Sequence, residues 1–171
     1  MKRAQAAATL ATIAVLAACA TAPTEPQRAT AQLQPTKGNK TIGEVTFEQV
    51  GDKMHVLANV HGLKPGAHGF HIHEIGDCSS GDGMSTKGHF NPEGKMHGYP
   101  GSGHAGDLPA LLANAKGQAK LDVVTTGMSI GSGPDDIVGR GLIVHADADD
   151  YKTQPTGNSG ARVACGVIKL D

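Results

Sequence analysis

The sequence predicts an all-β, antiparallel fold of about eight strands, either closed into a barrel or divided into two sheets. The 171 residues include 24 glycines, but no tryptophan and only two tyrosines and three phenylalanines. This composition is typical of a protein with many turns and a core of aliphatic side chains. Short stretches of alternating apolar and polar residues recur between turn signals, and no stretch beyond the N-terminus has the pattern of a helix.

The predicted strands follow one another from residue 41. Two alternating stretches, 41–50 and 53–60, flank a turn at Gly51-Asp52 and indicate a hairpin. A second hairpin is expected around the turn at residues 114–117 (NAKG). The strands predicted after residue 60 are one that carries His71 and His73 after a turn at 63–66, then 108–113, 118–125, 138–146 and 162–170.

A long segment between the predicted strands, from Ile75 to about Asp107, is rich in Gly, Ser, Asp, Asn and Pro. A loop of this length without regular structure is unusual in a compact domain and is usually functional. The loop also carries His89, His97 and His104. Because it has little apolar area to bury, we expect something other than a hydrophobic core to hold it.

The N-terminus has the features of a signal peptide over residues 1–18. Lys2 and Arg3 precede an apolar run from Ala6 to Ala18 that is too short to remain in a membrane as a span. The run ends in Leu-Ala-Ala-Cys, which is similar to a bacterial lipobox and predicts lipidation at Cys19. The alternative is ordinary cleavage nearby, with Cys19 removed or left as a spare thiol.

Residues 19–40 contain three prolines and no apolar periodicity, which predicts a disordered tether between the lipid and a folded domain at 41–171. The whole chain has 15 basic and 16 acidic residues, and loss of the signal peptide would leave a net charge of about −3. Such a mildly acidic chain gives no indication of nucleic-acid binding. Contact with a membrane is expected only through the lipid at Cys19.

A histidine motif lies in the stretch 66–78 (GAHGFHIHEIGDC). In a β-strand, His71 and His73 would point to the same face and could bind one metal ion. A single His-x-His pair is weak evidence, but six of the nine histidines fall into one series. The series is His71, His73, His89, His97, His104 and His145, with Asp107 among them.

This series, closed by GNSGARVACGVI at 157–168, resembles the copper-zinc superoxide dismutases over about residues 41–171. The resemblance implies a Greek-key β-barrel and dismutation of superoxide at a copper and a zinc ion. The chain is most similar to the bacterial secreted members, because Cys78 directly follows Gly76-Asp77. A periplasmic, membrane-anchored protein is therefore expected, as either a monomer or a homodimer.

The resemblance also implies a role for each matching residue. His89 would bridge the two metals, Asp149 would orient His71 and His97, and Arg162 would attract the anionic substrate. Cys78 and Cys165 would form a disulfide. The implied copper ligands are His71, His73, His89 and His145, and the implied zinc ligands are His89, His97, His104 and Asp107.

Some histidines and loop residues fall outside the family pattern. We expect His55 and His61 to face solvent or form hydrogen bonds, and His68 to be a structural hydrogen bonder. Residues 151–158 contain no acid and one lysine. The charged pairs that help to steer superoxide in eukaryotic members are therefore missing.

Two other functions use the same residues. A copper-delivery protein would bind copper without turnover, although such proteins usually rely on soft thiolate or thioether ligands. A structural zinc lipoprotein would leave the copper site empty, although all four implied copper ligands are present. Without the resemblance, Asp149 could be a solvated loop acid and Arg162 a partner in a surface salt bridge.

Overall fold

The computed structural model describes residues 25–171. The predicted signal peptide and the predicted lipidation site at Cys19 lie outside these residues. The described chain forms nine β-strands and one short 3₁₀ helix, Met84–Thr86. The strands are β1 (Gln27–Pro35), β2 (Ile42–Val50), β3 (Lys53–His61), β4 (Gly66–His68), β5 (Phe70–His73), β6 (Leu111–Ala113), β7 (Gln118–Thr125), β8 (Gly141–His145) and β9 (Arg162–Leu170). Within residues 25–171, no helix is long and apolar enough to cross a membrane.

Seven strands form one antiparallel sheet in the order β5-β8-β9-β1-β2-β3-β7, and β4 pairs with β6 in a second, two-stranded sheet. The sheet curls around one core, because buried side chains from its first and last strands belong to the same apolar cluster. Phe47 on β2, Phe70 on β5 and Leu142 on β8 are fully buried there. The predicted all-β barrel is confirmed.

The strands with large alternating side chains have the predicted bounds to within about one residue. These strands are β2, β3, β7 and β9. The hairpin predicted around residues 114–117 has its turn, where the Asn114 N–H donates to Gln118 O at 2.9 Å. Its strands, however, do not pair with each other, because β6 pairs with β4 and β7 pairs with β3.

The disordered tether predicted over residues 19–40 is wrong from Gln27 onward. β1 lies inside the large sheet, with β9 on one side and β2 on the other. Its inward positions Ala29, Ala31 and Leu33 are fully buried, while the Thr and Gln residues between them face outward. Two of the three inward residues are alanines, so the alternation of β1 produces only a weak apolar signal. Pro35 is tolerated because it ends the strand.

The long loop between β5 and β6 matches the predicted irregular segment. Two parts of it run beside the free edge of β5. The Phe90 N–H donates to Ile72 O at 2.8 Å, and the Ile72 N–H donates to Gly106 O at 2.9 Å. These bonds bring His89 opposite His73 and Asp107 opposite His71. Residue 106 must be a glycine, because a Cβ there would lie 2.3 Å from Ile72 O.

Candidate metal centre

Two overlapping groups of four buried side chains form at the edge of β5. Within each group the ligand atoms all lie within 4.8 Å of one another. β8 contributes His145, which follows a bulge and donates its N–H to Gly69 O at 2.9 Å. The first group is His71, His73, His89 and His145, and the second is His89, His97, His104 and Asp107. The structure therefore brings together all the side chains implied as ligands, and His89 belongs to both groups.

The rings of the first group each have one hydrogen-bonded nitrogen. His71 Nε2 lies 2.7 Å from the Asp149 carboxylate, and His73 Nδ1 lies 2.9 Å from Lys87 O. His145 Nδ1 lies 3.2 Å from Gly160 O. Because these oxygens only accept, each of these nitrogens must carry the proton. The tautomer of each ring is thus fixed by its neighbour.

The other nitrogen of each ring is buried and has no hydrogen-bond partner within residues 25–171. These atoms are His71 Nδ1, His73 Nε2, His89 Nε2 and His145 Nε2. Buried polar atoms are nearly always paired, so four unpaired lone pairs at one point require an explanation. A metal ion that accepts all four lone pairs explains them, and imidazole nitrogen suits copper.

Three of these rings, those of His71, His73 and His145, are held neutral. Burial lowers the pKa of His71 and His73 well below its usual value of 6.5, and the neighbouring His89 lowers it further. Burial also lowers the pKa of His145 to about 4. A neutral imidazole is the form that binds a metal. At neutral pH these three rings are therefore in the form that binds one.

The second group has the spacing of a small tetrahedron. Asp107 Oδ1 lies 2.9 Å from His89 Nδ1 and 3.5 Å from His104 Nδ1, and Asp107 Oδ2 lies 3.1 Å from His97 Nδ1. The Nδ1 atoms of His89 and His104 are 3.4 Å apart. Ligands bound to zinc at ordinary distances lie about 3.3 Å from one another. Three imidazoles and a carboxylate at this spacing fit a closed zinc site.

The Asp107 carboxylate is ionised in this setting. Burial alone would raise its pKa, but hydrogen bonds from His89 and from the Gly98 N–H outweigh that effect and lower the pKa below 3.8. The His104 N–H also donates to Asp107 Oδ2, at 2.9 Å. These backbone donors fix the carboxylate in the orientation in which it faces the three rings.

Asp149 connects the two groups, as the resemblance implied. Its Oδ2 accepts from His71 Nε2 at 2.7 Å and its Oδ1 from His97 Nε2 at 2.9 Å. The Tyr151 N–H also donates to Oδ1, at 2.7 Å. Gly157 closes over this contact with a φ of +63°, and a Cβ there would lie 1.8 Å from Asp149 Oδ1. Only a glycine fits against the connecting carboxylate.

Arg162 is half-buried beside the first group, and its guanidinium donates to the long loop. Its acceptors are Gly83 O at 2.7 Å, Thr86 Oγ1 at 2.8 Å and Lys87 O. Lys87 O also accepts from His73 Nδ1, so one carbonyl joins Arg162 to a ring of the first group. Within the described chain Arg162 forms no salt bridge, so its positive charge is not neutralised by a bonded acid.

Cys78 and Cys165 form the disulfide that the resemblance implied, across 87 residues of sequence. It ties the start of the long loop to β9, three positions after Arg162.

The histidines outside the family pattern have the expected structural roles where they are bonded. His68 Nδ1 lies 2.7 Å from His145 O, and His55 Nε2 lies 2.7 Å from the Asp122 carboxylate.

Apart from Asp149, sequence reasoning did not identify the groups that orient the rings from outside the two sets. Two of them are the backbone carbonyls of Lys87 and Gly160. A carbonyl belongs to every residue, so no residue type marks it. Lys87 has a positive φ of 61°, but its sequence context does not show that.

Comparisons with known proteins agree with this centre. The profile of the family "Copper/zinc superoxide dismutase (SODC)" matches residues 41–168. "Superoxide dismutase [Cu-Zn] 2" of Brassica juncea is 43% identical over 152 residues, which covers 84% of this chain and 97% of the plant protein. The solved structure of the clock protein EA4 superposes with a TM-score of 0.78 at 44% identity, covering 86% of this chain and 97% of that one. The relative with a stated organism is a plant protein, so these matches support the family but not the narrower bacterial secreted type. This chain belongs to the copper/zinc superoxide dismutase family.

Proposed function

We propose that this chain is a copper-zinc superoxide dismutase, which converts two superoxide anions and two protons into oxygen and hydrogen peroxide. The observation that carries the proposal is the position of His89. This ring belongs to both ligand groups, with Nε2 facing the first group and Nδ1 facing the second. One imidazole between two metal sites explains why both groups form at one edge of β5.

We assign the first group to copper and the second to zinc. Four nitrogen ligands and no carboxylate suit copper, whereas three histidines and an aspartate form a closed tetrahedral zinc set. Bound copper would supply one-electron redox chemistry to this group, and bound zinc would hold His89 and the loop in place. The copper ligands are His71, His73, His89 and His145, and the zinc ligands are His89, His97, His104 and Asp107.

The protein's own residues would direct the substrate and the protons. Arg162 attracts superoxide and orients it, because its charge is fixed by loop acceptors at the edge of the copper group. His89 takes up a proton at Nε2 and releases it to the reduced product. Asp149 keeps the rings of His71 and His97 in one tautomer and orientation, as a carboxylate beside a metal ligand usually does.

Metal analysis combined with a superoxide assay on reconstituted protein tests this assignment. We expect His89→Ala to lower both zinc retention and turnover, and His145→Ala to remove copper while zinc remains. Full zinc and near-normal turnover in His89→Ala would contradict the bridging role.

A copper-delivery protein is the second candidate, but neither metal group of residues 25–171 contains a soft ligand. Both cysteines of the described chain form the disulfide, and the two metal groups contain only histidines and an aspartate. A delivery protein would keep its copper content and lack turnover. The superoxide assay on the copper-loaded protein therefore separates the two functions.

We further propose that the protein is a periplasmic lipoprotein of the bacterial secreted type, anchored through Cys19. The support is the basic start, the short apolar run and the sequence Leu-Ala-Ala-Cys. Seven residues separate Cys19 from β1, which would hold the barrel within about 25 Å of the lipid. Mass spectrometry should find a lipid on Cys19, and Cys19→Ala should move the protein to the soluble fraction. An unmodified start beyond residue 19 would refute the anchor. Monomer and homodimer are both compatible with this proposal.

A further inference from the structure

The backbone of His97 is held by a side chain from the loop between β8 and β9. The His97 N–H donates to Gln154 Oε1 at 2.8 Å, and Gln154 Nε2 donates to His97 O at 2.8 Å. Within residues 25–171 neither main-chain group of His97 has another hydrogen-bond partner. The carboxamide of Gln154 thus takes the place that a neighbouring strand has in a sheet.

The ring of His97 is held by the same loop. His97 Nε2 donates to Oδ1 of Asp149 at 2.9 Å, and Asp149 lies five positions before Gln154 in the same loop. The remaining nitrogen, Nδ1, is buried, lies 3.1 Å from Asp107 Oδ2 and has no hydrogen-bond donor or acceptor in the described chain. With the backbone and one ring nitrogen fixed, Nδ1 is directed at the other three members of the second group.

The loop that carries Gln154 has contacts of its own. Gln154 Nε2 also donates to Lys152 O at 3.2 Å. The Tyr151 hydroxyl accepts from the Ala110 N–H at 3.0 Å, and its ring stacks on Tyr99 with the centroids 4.4 Å apart. Gln154 is therefore supported from a second region of the barrel and can constrain His97.

We propose that Gln154 is a positioning residue for the zinc site, acting through the backbone of His97. This inference rests on the proposed zinc role of His97. The carboxamide keeps Nδ1 in the second group in the absence of strand pairing, and zinc affinity therefore depends on the loop between β8 and β9. In return, zinc bound to His97 holds that loop closed over Asp149.

Two substitutions of different chemistry test the proposal. Gln154→Met keeps the size and removes both hydrogen bonds. Gln154→Glu keeps the acceptor for the His97 N–H but places a carboxylate oxygen against His97 O. Gln118→Glu is the matched control, because it makes the same change in charge on an exposed carboxamide of β7.

The measurements are the rate of zinc transfer to a chromogenic chelator, the visible spectrum of Co(II) placed in the zinc site, and hydrogen exchange of the His97 amide. We expect both Gln154 variants to release zinc about tenfold faster, since partners that orient a metal ligand usually change affinity about 10- to 100-fold. The Co(II) band should shift, and the His97 amide should exchange faster in Gln154→Met. Copper content and the Gln118→Glu control should stay within about twofold of wild type.

The outcomes separate this inference from the proposed function. If wild-type protein binds no zinc, or if His97→Ala binds it as tightly, the zinc assignment itself fails. If zinc requires His97 but both Gln154 variants release it within about twofold of the wild-type rate, only the positioning role fails. If the variants lower the thermal midpoint of metal-free protein and leave zinc release and the Co(II) band unchanged, Gln154 is a general structural residue and the proposal is overturned.

Discussion

Removal of the disulfide should lower the stability of the metal-free protein by an amount that follows from its place in the chain. The bond joins residues 87 positions apart. In the chain-entropy model a closed loop of this length raises the free energy of the unfolded state by about 4.6 kcal/mol at 25 °C. The described residues 25–171 would unfold with an entropy of about 0.3 kcal/mol per kelvin. The double variant Cys78→Ala/Cys165→Ala should therefore lose about 15 °C in thermal midpoint.

The position of the bond predicts a local effect as well. Cys78 begins the part of the loop that supplies Gly83 O and Lys87 O to Arg162. If that part loosens, Arg162 loses its fixed place beside the first group, the proposed copper site. We therefore expect superoxide turnover to fall more than copper content does.

Calorimetry and urea unfolding of metal-free protein measure the first effect, and a superoxide assay with metal analysis measures the second. Ser79→Ala, next to Cys78 and exposed, is the control. A fall in midpoint below about 4 °C, or about 1 kcal/mol, would show that chain entropy does not govern this bond. Equal losses of turnover and copper would refute the link to Arg162.

Three further predictions follow from the same structure. Arg162→Gln should lower superoxide turnover about tenfold while both metals are retained. Wild-type turnover should fall as ionic strength rises, because screening shortens the reach of the charge to about 8 Å. Unchanged turnover in the Arg162→Gln variant would show that Arg162 does not guide the substrate. Burial holds the pKa of His145 at about 4 in the folded protein, whereas its unfolded value is about 6.5, so the folded metal-free protein binds fewer protons. Its stability should therefore fall as the pH falls from about 6.5 towards 4. Thermal unfolding at a series of pH values should show a weaker pH dependence in His145→Gln. Leu33→Ala in β1 should lower the free energy of unfolding, measured in urea, by about 3 kcal/mol. The control Gln34→Ala, at an exposed position of the same strand, should change it very little. Equally small effects of the two variants would mean that β1 contributes little to the core.

The sequence predicted those parts of the fold in which large apolar residues alternate with polar ones. β2 has Val45 and Phe47 at buried positions, so its period of two was readable, and β9 was predicted with its observed bounds. β1 was missed because alanine is common both in buried strands and in irregular segments. What distinguishes Ala29 and Ala31 is their pairing with β2 and β9, which a single sequence does not show.

For the candidate site, the sequence was sufficient to predict the side chains that form the two ligand groups. The six histidines and Asp107 form a spacing that a known family shares, and the structure brings them together. Apart from the Asp149 carboxylate, the atoms that orient those rings were not predictable, because they are backbone carbonyls or belong to common polar residues. Gln154 lies exposed in a polar loop, and only its two bonds to His97 mark it.

The central place of β1 in the sheet has a mechanical consequence if Cys19 is the anchor. A pull from the lipid would enter the barrel at Gln27 and run along the axis of β1. Both neighbours, β2 and β9, are antiparallel to β1 and bonded across it, so their ladders would be loaded in shear and would share the force. An edge strand pulled perpendicular to its axis would instead lose its hydrogen bonds one at a time. Through β9 the same load would reach Arg162, so tension on the anchor would act on the strand pair that holds this arginine.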